Sequence, residues 1–259
     1  MNKNTIRQTV NVLAVIATLV VNGLANALPL NNLTTGDVSD RFDVYFVPAG
    51  YVFSIWGLIY IGLIAFAVYQ ALPAQREHPR LKRIGYLFAA SCLANIAWLF
   101  LWHYEQFPLT LVAMLSLLGL LIAIYLRIGS GRKREEEVSA AERWLVHIPF
   151  SIYLGWVTVA TIANVTSLLD YLQWGGWGIS EEIWLIIMLV IAGGIASAVT
   201  FTRGDIAYML VILWAFVGIA VKHTDVPVVA AATWIVTALL ALALIGAVVL
   251  ERRKKRQPI

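Results

Sequence analysis

The sequence predicts an all-α fold, a polytopic membrane helix bundle of about eight transmembrane helices. Three observations predict it. Of the 259 residues, 60% are hydrophobic and 13% charged, where a soluble domain carries nearer half and a quarter. Apolar runs of about 20 residues recur along the whole chain, each long enough to cross a hydrocarbon core of ~30 Å. The charges gather between these runs, in short connectors and in the tail ERRKKR. A soluble protein with so many runs would expose more apolar surface than water tolerates.

The runs are read as spans at residues 10–28, 52–72, 84–102, 109–128, 146–168, 183–201, 206–221 and 228–250. Arg127, one residue from the end of the fourth, is the only charged residue inside these bounds. Lipid cannot satisfy a loose backbone amide, so helices are the open-chain solution. A barrel would need ten-residue alternating strands, and these runs are continuous and rich in Leu and Ala. In the first span, Lys3, Arg7 and the tripeptide Ala25-Asn26-Ala27 also resemble a secretory signal with its cleavage site. The length of that run, and Asn11 and Asn22 within it, favour a retained helix. Both readings leave the carboxyl tail on the same side.

With eight spans, both termini share a side with the connectors near residues 73–83, 129–145 and 202–205. That side holds 17 of the 19 Lys and Arg, among them Arg80, Lys82, Arg83, Arg132, Lys133, Arg134 and Arg252 to Arg256; the other holds Arg41 and Lys222. The positive-inside rule makes the first side cytoplasmic, so a multi-pass protein of the cell membrane with both termini inside is expected. The net charge of +4 is therefore a topology signal, and no nucleic-acid partner is implied.

Three connectors stand apart. The outer one at residues 29–51 is long and holds Asp37, Asp40, Arg41 and Asp43; loops of this length in compact proteins are often lids or binding loops, with Arg41 the expected lid residue. Residues 129–145 read as a solvated helical extension without chemistry. Trp174 and Trp177 read as interfacial anchors, with a ligand lid as the alternative. In the sixth span Gly193, Gly194, Ala196, Ser197 and Ala198, and in the eighth Ala243 and Ala247, allow close helix approach, for internal packing or for a homo-oligomer.

Support for catalysis is thin. The spans offer no carboxylate for acid–base work and no cluster with metal-ligand spacing, so no catalytic or metal residue is assigned. His103 and His147 lie about a bilayer apart; His103 is either an axial haem ligand or an ordinary interfacial histidine. Coupled pumps normally carry ionisable groups within the membrane, which argues against active transport without excluding a facilitator. The lone Cys92 reads as a small buried hydrophobe.

The segment Pro48-Ala49-Gly50-Tyr51-Val52-Phe53-Ser54-Ile55-Trp56-Gly57-Leu58-Ile59-Tyr60 resembles the second-helix entrance of the TspO family (tryptophan-rich sensory or translocator proteins), P-x-W-V-F-G-P-x-W-x-x-L-Y. Tyr51 stands where the first Trp is usual, and one residue is missing at the Gly-Pro, so a different helix entrance is expected. Asn95-Ile96-Ala97-Trp98 is similar to the third-helix N-x-x-W. Tyr153 through Asn164 is similar to the fifth-helix Y-L-x-W-V-x-F-A-x-x-L-N, with Ile152 where the family has Pro. The resemblance covers residues 1–168, a five-helix membrane domain. Residues 169–259 read as an added three-helix segment with a basic tail, about which the resemblance says nothing.

The resemblance implies a membrane receptor or carrier for a hydrophobic planar ligand such as a tetrapyrrole, sterol or lipid. A passive transporter or channel, and a porphyrin- or lipid-modifying enzyme, remain alternatives. No cofactor follows; a tetrapyrrole enters only as a ligand. The implied partners are the bilayer and a hydrophobic small molecule. The ligand-binding residues implied are Phe53, Trp56, Tyr60, Asn95, Trp98, Tyr153, Trp156 and Asn164. Helical rise of ~1.5 Å per residue independently puts Trp56, Asn95, Trp98, Trp156 and Asn164 in the outer half of the membrane, beneath the 29–51 connector. Asn22 and Asn26 reach the same depth. Interface anchoring for the aromatics and interhelical bonding for the asparagines are the other reading of these residues.

Overall fold

The computed structural model describes residues 2–28, 30–130 and 138–256, without the side chains of Asn26, Glu251, Arg252 and residues 254–256. The expectations for Asn26, for Arg132 to Arg134 and for the tail's side chains lie outside this description. In chain order the helices are α1 (Lys3–Ala27), α2 (Thr35–Ser39), α3 (Ile55–Ala71), α4 (Pro79–Ile84), α5 (Leu87–His103), α6 (Phe107–Ile128), α7 (Ala140–Glu142), α8 (Ile148–Tyr171), α9 (Glu181–Arg203), α10 (Ile206–Lys222) and α11 (Pro227–Arg256).

Among the described residues, six helical stretches are long and apolar enough to cross a membrane, and α5 and α10 are shorter apolar helices. At 17 residues each, these two span ~25 Å. Several helices outrun the apolar bounds read from the sequence, because polar end residues continue the helix: α9 begins at Glu181 and Glu182 and ends at Arg203 before the left-handed Gly204. Leu58, Ile61, Val112, Leu239 and Leu242 are exposed on the bundle surface, as side chains facing lipid are.

The entrance to α3 is a 3-10 turn at Gly50–Ser54. The turn is docked on α10: the Ala49 N–H donates to the Gly218 carbonyl at 3.1 Å, and the Trp214 indole N–H donates to the Val52 carbonyl at 3.2 Å. Gly218 is required here, since a Cβ would lie 2.1 Å from Val52 Cγ2.

α1 is built into the bundle through the polar residues that interrupt its apolar run. Gln8 and Gln70 exchange side-chain to carbonyl bonds, Asn11 donates to the Gly85 carbonyl, and Asn22 bonds Asn95. Buried contacts also cross residue 168. Tyr208 donates its hydroxyl proton to Thr158 at 2.9 Å. The buried Asp205 caps α10 by accepting from the Tyr208 N–H, while its Oδ2 accepts from Tyr125 and Ser151. Gly193 faces Leu240 of α11, so that small residue serves internal packing.

The 129–145 connector departs from a solvated extension where it is described. Ser139 caps α7, a π turn at Arg143–His147 joins α7 to α8, and Glu142 is buried. Its carboxylate accepts two 3.0 Å bonds from Arg80 of α4, also buried. A carboxylate withdrawn from water requires such a partner, and residues 62 positions apart supply it.

Candidate functional site

Helical spacing assembles the site at the end of the bundle opposite most of the basic residues. Trp56 and Tyr60 are four apart on α3; Asn95, Trp98 and Trp102 are three and four apart on α5; Tyr153 and Trp156 are three apart on α8. Each set therefore shares a helix face. Tyr60, Trp56, Trp98 and Trp102 form a stacked ladder, with successive centroids 5.6, 6.4 and 5.8 Å apart and interplanar angles of 22, 27 and 21°. Tyr153 and Trp156 meet Trp56 edge-on at 6.0 and 6.2 Å, and Phe53 meets Trp156 edge-on. Each such pair is worth ~0.5–1.5 kcal/mol beyond its buried area, so the rings are held in fixed orientation.

Polar groups sit beneath the ladder. The Asn22 amide donates to Asn95 Oδ1 at 2.9 Å and to the Thr18 carbonyl, and its oxygen accepts from the Tyr60 hydroxyl at 2.7 Å. The Asn95 amide nitrogen lies beside the Tyr153 hydroxyl. The buried indole N–H groups of Trp98 and Trp156 have no hydrogen-bond partner among the described residues.

A cavity of about 360 Å³ lies against the ladder, walled by Phe53, Trp56, Tyr60, Trp98 and Asn22. Four of the expected binding residues thus line it, and Asn95 reaches it through Asn22. Tyr153 and Trp156 back the rings. Asn164 lines an adjoining void of about 40 Å³ together with Phe53, Trp56, Trp98 and Trp156, and its amide donates to Thr110 Oγ1 of α6 at 3.0 Å.

The cover is α2, with Thr35, Gly36 and Asp37 over the cavity and Asp40 at its rim. A capping box forms it: the Thr34 N–H donates to Asp37 Oδ2, and the Asp37 N–H to Thr34 Oγ1. The Thr34 N–H, and after it the Thr34 hydroxyl, hold the Asp37 carboxyl below its ordinary range. His103 fastens the cover. Nδ1 lies 3.2 Å from the Leu30 carbonyl, which only accepts, so Nδ1 carries a proton, and Nε2 lies 3.2 Å from Thr35 Oγ1. Both ring nitrogens of His103 thus face groups of the cover.

Arg41 does not line the cavity as the expected lid. It pairs with Glu105, both being exposed. Lys222, at the end of α10, bonds Asp40 at 2.7 Å. The rim therefore carries carboxylates, and Arg41 and Lys222 are engaged by Glu105 and Asp40. Thr35 escapes sequence reasoning, and Asp37 and Asp40 are placed only in the long connector, because a connector has no periodicity, although Thr34-x-x-Asp37 is a legible capping signal. Trp174, Trp177 and Trp184 pack on one another at the same end, away from the cavity.

Compared with known proteins, residues 8–246 match the family model described as TSPO-like protein, a match that runs past residue 168 through α9, α10 and most of α11. No curated protein and no solved structure matches the chain.

Proposed function

The chain belongs to the TSPO-like protein family, and from that premise we infer that it is a membrane receptor or carrier taking a hydrophobic planar ligand into the aromatic cavity. The observation that carries this reading is the near-parallel stack of Tyr60, Trp56 and Trp98 along one wall of a cavity of about 360 Å³, a size within the ~300–1,000 Å³ usual for small-molecule sites. Flat ring faces suit a flat apolar ligand, such as a tetrapyrrole or a sterol. The indole N–H of Trp98, which lines the cavity, is a donor available to an oxygen of that ligand.

The rim narrows the class. A free acid would bring its charge beside Asp37 and Asp40, while Arg41 and Lys222 are already held by carboxylates. Neutral compounds are favoured, because burying an unpaired charge is prohibitive. The test is a titration of the purified full-length protein, in neutral detergent, with a tetrapyrrole diacid and its dimethyl ester, followed by tryptophan quenching. Saturable binding, tighter for the ester, is expected; no saturable quenching by either compound sinks the reading. The same reading puts both termini in the cytoplasm, from the 17-to-2 division of Lys and Arg. Reporter fusions at each end test it, and an external amino terminus would overturn it.

A further inference from the structure

A second, larger cleft of about 1260 Å³ opens at the basic end of the bundle. α3 and α10 both pack on α8 and converge at the opposite end, where the Gly50–Ser54 turn meets Gly218 and Trp214. Between them they leave a wedge floored by Ile148, Ser151 and Ile152 of α8. Its walls are apolar: Leu58 on α3 and Leu210 on α10 are each 52% exposed, and Trp214 lies at the apex.

The mouth of the wedge has the opposite character. Arg80, Arg83, Arg127, Arg143 and Arg203 all line it. Arg80 is committed to Glu142. Arg127 and Arg203 each use one Nη1 on a carbonyl, of Arg83 and Ser130 respectively, and Arg83 and Arg143 are exposed. The one lining carboxylate among the described residues, Asp205, accepts from Tyr125, Ser151 and the Tyr208 N–H. Trp144, 67% exposed, stands at the same level, where interfacial indoles sit. Trp214 is eight residues beyond Ile206 on α10, or ~12 Å deeper, which is close to one leaflet of a ~30 Å core.

A cationic mouth at headgroup depth leading into an apolar wedge one leaflet deep has the shape and charge of an anionic amphiphile. We propose that this cleft is a binding site for an anionic bilayer phospholipid, its phosphate held by the arginines and one acyl chain laid along Leu58, Leu210 and Trp214. Guanidinium forks match phosphate oxygens in pairs, and basic pockets between helices on the cytoplasmic side suit such headgroups. The site is distinct from the aromatic cavity, which lies at the other end of the bundle, and the proposal does not rest on the ligand assigned there.

The test uses the full-length protein in a neutral detergent, with bound lipid counted by native mass spectrometry. Phosphatidylglycerol is expected to bind about tenfold or more tightly than phosphatidylcholine of the same chains. Arg83→Gln with Arg143→Gln, at exposed positions, is expected to reduce that preference about tenfold. Leu210→Gln, a lipid-facing change, should weaken both lipids. Glycerol 1-phosphate at the same concentration should not compete. Equal retention of the two lipids, a preference that survives the double substitution, or displacement by glycerol 1-phosphate each overturns the proposal, the last by making this a soluble-phosphate site. Loss of quenching in the tetrapyrrole titration has no bearing on these readouts.

Discussion

Asn22 of α1 and Asn95 of α5 meet at 2.9 Å beneath the tryptophan ladder, and the same Asn22 receives the Tyr60 hydroxyl of α3. One amide thus ties three helices at the depth of the cavity. Interhelical hydrogen bonds in membranes average ~0.6 kcal/mol and reach ~1.7 kcal/mol. Asn22→Leu should therefore cost about 1–2 kcal/mol and loosen the Tyr60 ring. Thermal unfolding in detergent reads the first effect and planar-ligand affinity the second. Unchanged values for both would mean that the three helices hold their places without Asn22.

Trp98 lines the cavity with its N–H unused, so two substitutions there separate stacking from hydrogen bonding. Trp98→Ala removes a ladder ring, and a ring buried against a ligand contributes ~1–3 kcal/mol, or about 5- to 150-fold in affinity. Trp98→Phe keeps a ring between Trp56 and Trp102 but deletes the donor. A smaller loss is expected, and only for ligands that carry an acceptor oxygen. Equal losses for ligands with and without that oxygen would count against the donor role.

Gly218 tests whether the last three membrane helices shape the site. Gly218→Ala drives a Cβ to 2.1 Å from Val52 Cγ2 and 3.1 Å from Pro48 Cβ, an overpacking that costs ~1–3 kcal/mol. The displaced turn carries Phe53, so ligand affinity should fall with stability. Gly194→Ala is the control: its Cβ meets nothing within 4 Å, and it should gain up to ~1 kcal/mol from helix propensity. If both variants bind ligand like the parent, the cavity does not depend on α10.

Arg80 and Glu142 form a buried ion pair, 3.0 Å apart. Removing one member leaves the other charge stranded, at a cost of ~3–5 kcal/mol. Arg80→Gln alone should therefore unfold at a much lower temperature than Arg80→Gln combined with Glu142→Gln. A double variant no better than the single would show that the pair carries little coupling. His78 and His147, each 3.7 Å from the Glu142 carboxylate, would then hold it instead.

The spans were legible because run length is fixed by bilayer thickness, and every apolar run became a helix. The ladder was legible in part, since positions three and four apart on α3, α5 and α8 share a face whatever their partners. Less could be read where pairing joins distant residues. Arg80 and Glu142 looked like topology charges until the fold brought them together, and Arg41 looked available until Glu105 engaged it. Asn164 has the expected depth, but its amide is bonded to Thr110 of α6, a pairing that depth alone cannot show. The basic-end cleft left no local signal, because its five arginines come from four separate stretches of chain.

The bond from the Ala49 N–H to the Gly218 carbonyl also sets a schedule for biosynthesis. Position 218 follows position 49 by 169 residues (218 − 49). At ~5–20 residues per second, the ribosome needs roughly 10–30 s to deliver it. Through that interval the 49–54 rim, already threaded through the membrane, has no seat. The cavity is thus completed late in translation, and a nascent chain halted before the seventh span would display the ladder with its entrance unanchored.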